Sequence, residues 1–265
     1  MNPLTPFLAI FAGMAVVMTA AWLVQRAVRN GGWVDVFWTF GTGAACVAAA
    51  LWPEPAMNSA RQLLVAGLAA VWALRLGSYI AHRVATSAED TRYTGLREEW
   101  GARFQANMFW LVIVQAPAAA ILGLTVFAAA HGGGSDLVLR DVIGTLVLVI
   151  AIVGEGLADE QMRKFKSEGH HGAIMDKGLW GWSRHPNYFF EWFGWLAYPV
   201  IGFDPSEPWS WATWIAPVVM FLILRFGTGV PALEKTMLQS RGDKFRDYQK
   251  RVSAFFPLPP KGNPT

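Results

Sequence analysis

The chain has 265 residues, of which 54% are hydrophobic and only 15% are charged, and its mean hydropathy is +0.31. A soluble chain of this size has about a quarter of its residues charged, so this composition excludes an ordinary water-soluble domain. The net charge of +3 comes without a basic face, and no nucleic-acid partner is predicted. The single cysteine, Cys46, lies in an apolar run and excludes an intramolecular disulfide.

Uncharged runs of membrane-spanning length follow one another along the chain. A hydrocarbon core of about 30 Å is crossed by a helix of about 20 apolar residues. The pattern predicts an all-α, polytopic membrane bundle of about seven transmembrane helices with cytoplasmic loops. We expect a multi-pass protein of a bacterial cytoplasmic membrane, in contact with membrane lipid. The runs cover about residues 3–25, 33–52, 62–82, 107–130, 138–158, 187–203 and 209–226.

The basic residues between these runs alternate in number. The first, third and fifth connections and the tail hold 18 of the Lys and Arg residues, whereas the second and fourth connections hold 2, Arg61 and Arg140. Basic loops stay on the cytoplasmic side of a membrane. The alternation therefore predicts an N-terminus outside the cell and a C-terminus in the cytoplasm.

A stripe of charged side chains is predicted on the helix that follows Gly154. Its two acids come first, at membrane depth, where a carboxylate is costly unless its surroundings are polar. Two basic residues follow towards the cytoplasm. The alternative interpretation is a helix end held by internal salt bridges. The members, spaced at i, i+4, i+8 and i+11 and therefore on one face, are Glu155, Asp159, Arg163 and Lys166.

Polar groups also crowd the start of a helix predicted near residue 186. Pro186 suits the first turn, where its missing N–H would be unpaired anyway, and Ser183 is a candidate cap. Arg184 and His185 then lie at a helix N-terminus, which favours an anion. The alternative is a capped membrane helix with an interfacial aromatic belt. Two inward-facing residues follow at i, i+4 spacing, Asn187 and Glu191.

This region resembles the signature of the steroid 5-alpha-reductase family, and more closely its bacterial branch. The resemblance spans roughly residues 35–257, and its Arg-His-Pro core is shared with isoprenylcysteine methyltransferases. The residues that carry it are Gly178-Leu179-Trp180, Ser183-Arg184-His185-Pro186-Asn187-Tyr188 and Glu191, with Arg225, Pro231, Glu234 and Phe255 to Pro257 further on.

The resemblance implies an oxidoreductase with NADPH as cofactor. Its reaction would reduce the double bond between carbons 4 and 5 of a 3-oxo-Δ4-steroid or a similar enone lipid. Residues 1–130 would hold this small lipophilic substrate, and residues 131–265 would hold the cofactor. The positions implied to contact NADPH are Glu155, Asp159, Arg163, Lys166, Arg184, His185, Asn187, Tyr188, Glu191 and Arg225.

The resemblance further implies a carboxylate on the second helix and a tyrosine on the third, which together polarise the substrate carbonyl. Asp35 is the ionisable residue of the second predicted span, and Tyr79 is the tyrosine of the third. The family's own tyrosine position falls at or near Trp72. Asp35, Tyr79 and Trp72 are therefore the predicted catalytic residues. Asp35 is alternatively a structural residue paired with Arg29 or Arg75.

Two other classes of function remain open at this point. The shared Arg-His-Pro core is also typical of a methyltransferase that uses S-adenosylmethionine on a lipophilic substrate. Intramembrane charges are also typical of a lipid-binding or transport protein, although no inverted repeat is present. No metal is predicted, because His170 and His171 lie in a glycine-containing loop without further ligands at metal-binding spacing.

Membrane-impermeant thiol reagents test the predicted orientation. In a Cys46→Ala background, cysteines introduced singly at Lys166, Arg184 and Arg225 should react only from the cytoplasmic side, because the three residues belong to one polar layer. Labelling of these positions from opposite sides would rule out a shared site.

Overall fold

The computed structural model describes residues 2–54, 59–132, 137–170 and 172–262. Within those ranges the regular structure is helical, apart from one isolated bridge between Ser183 and Ser253. Short 3-10 turns occupy Gly101–Arg103, Gly178–Gly181 and Pro208–Trp214. The helices are α1 (Leu4–Val28), α2 (Gly32–Ala50), α3 (Ser59–Thr86), α4 (Thr91–Trp100), α5 (Phe104–Ile113), α6 (Gln115–His131), α7 (Leu139–Ser167), α8 (Pro186–Trp195), α9 (Ala197–Gly202), α10 (Ile215–Phe226), α11 (Val230–Arg241) and α12 (Asp243–Arg251).

Six helical stretches in the described residues are long and apolar enough to cross a membrane. They match six of the predicted runs and confirm a multi-pass membrane protein. The run predicted at 187–203 is divided between α8 and α9, which have 10 and 6 residues. The count of seven and the orientation therefore stay predictions. The six stretches are Leu4–Val28, Gly32–Ala50, Ala60–Thr86, Thr91–His131, Leu139–Ser167 and Pro208–Arg241.

Prolines explain two of the breaks within these runs. A proline has no N–H, so the carbonyl four residues before it receives no helical hydrogen bond. Helix α8 ends at Trp195, four residues before Pro199, and α5 ends at Ile113, four residues before Pro117. The ends of both helices follow directly from the sequence.

The chain groups into two compact units. Unit 1 comprises residues 1–145 and 198–216, and unit 2 comprises residues 146–197 and 217–265. Each unit is built from two separate stretches of chain. The assignment of substrate and cofactor to residues 1–130 and 131–265 stays a prediction.

Unit 1 is built around close packing of α2 on α3. A Cβ added at Gly43 would lie 2.1 Å from the Cβ of Ala73, and one added at Gly77 would lie 2.7 Å from the ring of Phe40. Both distances are shorter than atoms can approach. Glycine at these two positions therefore lets the backbone of each helix approach a side chain of the other helix. Such close packing is common for helices within membranes.

A fully buried ion pair joins the first turns of α3 and α7 in unit 1. Arg61 Nε and Nη2 donate to the two carboxylate oxygens of Asp141 at 2.8 and 2.9 Å, and the exposed fractions of the side chains are 0% and 1%. Arg61 also donates to the carbonyl of Gly132 at 2.5 Å. Arg61, counted in the second connection of the sequence, belongs to the first turn of α3, and its counter-ion lies 80 residues further along the chain.

Unit 2 has an aromatic cluster, defined as Phe189, Trp192, Phe221, Phe255 and Phe256. The rings of Phe221 and Phe255 meet edge to face with centroids 5.4 Å apart, and those of Trp192 and Phe256 do so at 5.5 Å. Such edge-to-face pairs add to the gain from burying the rings. The cluster attaches the chain after α12 to α8 and α10.

Removal of one partner of the buried ion pair should strongly lower the stability of the fold. Asp141→Asn leaves the Arg61 charge uncompensated in a low-dielectric interior, and we expect the free energy of unfolding to fall by about 3–5 kcal/mol. Asp243→Asn is the matched control, because its ion pair with Arg246 is exposed and should contribute about 0.5 kcal/mol or less. Thermal unfolding in detergent measures both, and equal shifts would contradict a structural role for the buried pair.

Candidate functional site

The loop before α8 is attached to the end of α7. Trp180 donates its indole N–H to the carbonyl of Ala158 at 3.0 Å, and the amide of Leu179 donates to the side-chain oxygen of Gln161, also at 3.0 Å. Gly178 has φ of +58°, in the left-handed region that favours glycine. These bonds fix the entry of the chain into α8 against the helix that carries the charged stripe.

Ser183 connects this loop to the C-terminal segment. Its hydroxyl donates to the carbonyl of Phe255 at 2.8 Å and accepts from the amide of His185 at 3.1 Å. The amide of Arg184 donates to the carbonyl of Ser253 at 2.8 Å. The prediction that Ser183 caps α8 is therefore corrected, since His185 occupies the N-cap position and Pro186 begins the helix. The placement of Pro186 in the first turn is confirmed.

A half-buried carboxylate, Glu234 of α11, organises the polar residues at the start of α8. Its Oε1 accepts from Arg184 Nε at 2.8 Å and lies 3.1 Å from His185 Nε2. Its Oε2 accepts from the side-chain amide of Gln249 at 2.7 Å. Arg184 also donates to the carbonyls of Gln249 and Val252. We name Arg184, His185, Glu234 and Gln249 the Glu234 cluster.

The environment of His185 favours its neutral form. Burial lowers the pKa of His185 below its usual value, while Glu234 opposes this shift and the charges of Arg184 and Arg225 add to it. A neutral ring facing a carboxylate donates Nε2–H to Glu234. The ring also stacks on Tyr188, with centroids 5.7 Å apart and planes 15° from parallel.

The four charged residues of the α7 stripe differ in their burial. Glu155 and Asp159 are buried, at 5% and 6% exposure, whereas Arg163 and Lys166 are exposed. Arg163 forms two 2.6 Å hydrogen bonds with Glu160. The acids thus lie inside the protein, and the two basic side chains are open to solvent.

The remaining predicted cofactor residues lie in unit 2. Asn187 and Tyr188 are half-buried in the first turn of α8. Glu191 is buried one turn later and accepts from the indole N–H of Trp195 at 3.1 Å. Arg225 is half-buried near the end of α10, with its guanidinium 5.0 Å from the ring centre of Phe226.

In unit 1, Asp35 lies in a second polar cluster. Its Oδ1 accepts from the hydroxyl of Tyr93 at 2.8 Å, and its Oδ2 accepts from Arg92 Nη2 at 2.8 Å. The expected pairing with Arg29 or Arg75 is corrected, because α4 brings Arg92 and Tyr93 to this carboxylate. We name Asp35, Asp90, Arg92 and Tyr93 the Asp35 cluster.

Asp90, the residue immediately before α4, stabilises this arrangement. Burial alone would raise the pKa of Asp90, but the charge and hydrogen bonds of Arg92 and the charge of Arg83 hold it below its usual value. Ionised Asp90 caps α4 by accepting from the amide of Arg92 at 3.0 Å. Tyr93 is buried against Gly31, where an added Cβ would lie 2.4 Å from its ring.

The predicted residues of α3 have other surroundings. Trp72 is buried, and Tyr79 is half-buried with the guanidinium of Arg75 5.6 Å from its ring centre. The tyrosine whose hydroxyl contacts Asp35 is Tyr93, which sequence reasoning missed. A polar Asp-Thr-Arg-Tyr segment at residues 90–93 was the available signal, but nothing local in it indicates a partner on α2.

The described ranges contain no group of three or more His, Cys, Asp or Glu residues that could hold a metal ion. His170 stacks on Phe165 at 4.8 Å and pairs with Glu168 at 3.3 Å. His171, which was considered beside it, lies outside the described residues.

These features define a helical, multi-pass membrane protein with partly buried polar clusters at the ends of its apolar helices. Residues 21–252 match the family described as "Protein of unknown function (DUF1295)", and the chain belongs to this family. It is also similar to an uncharacterized protein of Schizosaccharomyces pombe, with 26% identity over 229 residues. The match covers 75% of this chain and 64% of that protein, so the chain spans less than two thirds of its relative. No solved structure matches.

The lowered pKa of His185 predicts a pH dependence of stability. A histidine whose pKa falls on folding binds fewer protons in the folded state, so stability is highest above its usual pKa of 6.5 and decreases as the pH falls from there towards the folded value. We expect the melting temperature to fall between pH 7.5 and about 5.5, where carboxyl groups stay largely ionised.

His185→Gln should remove part of this slope, and His170→Gln, at an exposed site, is the control. The measurement is thermal unfolding in detergent across this pH range. An unchanged slope in His185→Gln would contradict burial of a neutral imidazole.

Proposed function

We propose that the protein uses NADPH to reduce the carbon–carbon double bond of a lipophilic enone, such as a 3-oxo-Δ4-steroid, in a bacterial cytoplasmic membrane. The observation that carries the proposal is the Glu234 cluster. It fixes Arg184 and His185 at the start of α8, within the segment that resembles the reductase signature. A half-buried carboxylate with three side-chain partners indicates a segment held in one conformation.

The side chains of unit 2 fit a phosphate-bearing cofactor in their chemistry. Arg163 and Lys166 are exposed at the end of α7, and Arg225 is half-buried near the end of α10. Guanidinium and ammonium groups are the usual partners of phosphate. Asp159 and Asn187 offer the acceptors and donors that ribose hydroxyls and an amide require.

Arg184 has a different task in this proposal. Its guanidinium already donates to Glu234 and to two backbone carbonyls, and His185 is turned to the same carboxylate. We therefore assign both residues to holding α8 and Asn187 in position for the cofactor. Arg163, Lys166 and Arg225 keep their assignment as phosphate contacts on the ground of their charge and of the family resemblance.

The carbonyl end of the reaction is assigned to the Asp35 cluster. NADPH, when bound, supplies the hydride that adds to the beta carbon of the enone. Negative charge then develops on the carbonyl oxygen and is stabilised by donors that are already oriented. Asp35 accepts from both Tyr93 and Arg92. The single O–H of Tyr93 is used on Asp35, so Tyr93 holds the carboxylate in place, and the further N–H groups of Arg92, which Asp35 orients, are assigned to the carbonyl oxygen. Tyr79 on α3 is the alternative donor.

Activity of the purified protein tests the proposal directly. Incubation in detergent with NADPH and testosterone or progesterone should give a 5α-reduced steroid together with oxidation of the cofactor. Absence of both with a panel of enone sterols would remove the proposal. Calorimetry with NADPH and S-adenosylmethionine is the parallel measurement, and saturation by the second alone would favour a methyltransferase.

Variants of the two clusters should separate binding from turnover. Asn187→Ala should raise the KM for NADPH with a smaller effect on kcat, because it removes a cofactor contact. Asp35→Asn should lower kcat with NADPH binding retained, by about a hundredfold to a thousandfold, the range of a lost transition-state donor. Unchanged turnover in Asp35→Asn would contradict the placement of the carbonyl site.

The two tyrosines form a matched pair for the same assay. Tyr93→Phe removes the hydroxyl bonded to Asp35 but keeps the ring packed on Gly31, and we expect a loss of kcat like that of Asp35→Asn. We expect Tyr79→Phe to lower kcat by a smaller factor. The reverse order would assign the donor to α3.

A further inference from the structure

An arginine in the first turn of α7 has hydrogen-bond donors to spare. The guanidinium of Arg140 makes one hydrogen bond within the described ranges, from Nη1 to the carbonyl of Phe203, and at 3.4 Å this bond is longer than usual. Its Nε is buried there without a partner. The side chain is partly exposed, so the end of the guanidinium is open to a ligand.

No carboxylate of the described ranges forms an ion pair with Arg140. Asp141, the next residue, is committed to Arg61. Asp204 accepts from the hydroxyl and the amide of Ser206 at 2.6 and 3.0 Å. These hydrogen bonds, together with the charge of Arg140, lower the pKa of Asp204. The N–H groups of Arg140 are therefore left for an acceptor from outside the protein.

The carbonyl that Arg140 contacts belongs to an aromatic group at the surface of unit 1. The ring of Phe203 meets Trp211 edge to face, with centroids 4.9 Å apart, and meets Trp214 at 5.9 Å. Trp211 and Trp214 are 57% and 40% exposed. Tryptophan is concentrated where the headgroups of a bilayer meet its hydrocarbon core. The exposed indoles thus indicate that Arg140 lies at the level of the headgroups.

Apolar side chains continue from Arg140 along α7. Leu139 and Ile143 are exposed, and Ile143 lies at i+3 from Arg140 on the same face, further into the membrane-length helix. Exposed aliphatic side chains of such a helix face acyl chains. An anion at the guanidinium and hydrocarbon beside it are the two parts of a phospholipid. We name the following residues the Arg140 surface: Leu139, Arg140, Ile143, Phe203, Trp211 and Trp214.

We propose that the Arg140 surface binds a phospholipid, whose phosphate accepts hydrogen bonds from the guanidinium and whose acyl chains cover Ile143 and the two indoles. The planar fork of a guanidinium matches the oxygens of a phosphate. A diacylglycerol has the chains without the anion, and a soluble phosphate ester has the anion without the chains. Arg140 belongs to neither the Glu234 cluster nor the Asp35 cluster, so this binding is independent of the proposed reaction.

A fluorophore beside the Arg140 surface measures the binding. In a Cys46→Ala background, bimane on Leu137→Cys, at an exposed position, is quenched by lipids that carry a nitroxide near the start of one acyl chain. We expect half-maximal quenching at a lower mole fraction of phosphatidylglycerol than of diacylglycerol. Arg140→Gln should raise the mole fraction of phosphatidylglycerol required by about tenfold, the size of one lost charge-assisted hydrogen bond, and that of diacylglycerol by less than about twofold.

Arg246→Gln is the matched control, because it removes an exposed arginine of α12 and should change neither value. Equal mole fractions of the two lipids in the parent protein, or an equal effect of Arg140→Gln on both, would overturn the proposed lipid site and indicate a guanidinium solvated by water. Displacement of the labelled phosphatidylglycerol by excess glycerol 3-phosphate would assign Arg140 to a soluble phosphate and would also overturn it.

Discussion

The arrangement of unit 2 depends on one half-buried carboxylate. Glu234 lies on α11, yet its partners come from the start of α8 and from α12, so three parts of the chain meet at two oxygen atoms. In a low-dielectric interior each of these bonds is strong, and each group left without its partner is costly. The network therefore forms as a whole. The conformation of the segment at 183–187, where the reductase signature lies, depends on the tail of the chain.

The Asp35 cluster applies the same principle in unit 1. Asp35 contributes both oxygens to groups from α4, and Asp90 caps α4 while it also holds Arg92. The ring of Tyr93 is closed in by the glycine at the start of α2. The connection after α3 is thereby fixed to the connection before α2. A cation between two carboxylates can stay charged near the membrane, which a lone charge cannot do at low cost.

Those features that depend on local sequence could be predicted. Six apolar runs became membrane-length helices, the stripe from Glu155 to Lys166 lies on α7, and Pro186 begins α8. Hydropathy and helical spacing carry this information because it is contained within about 20 neighbouring residues. The Asp35 partner lies 57 residues away and the Arg184 partner 50 residues away. Periodicity does not encode such pairs, which is why Tyr93 was missed and Glu234 was noticed only as part of a resemblance.

The proline-terminated ends of α8 and α5 also bear on how the chain crosses a bilayer. A helix of ten residues is about 15 Å long, half the thickness of the hydrocarbon core. Pro199 leaves the carbonyl of Trp195 without its helical donor, and lipid offers none. Neither α8 nor α9 is therefore long enough to cross the hydrocarbon core by itself. The break at Pro199 explains why residues 186–202, unlike the six longer stretches, do not form one helix of membrane-spanning length.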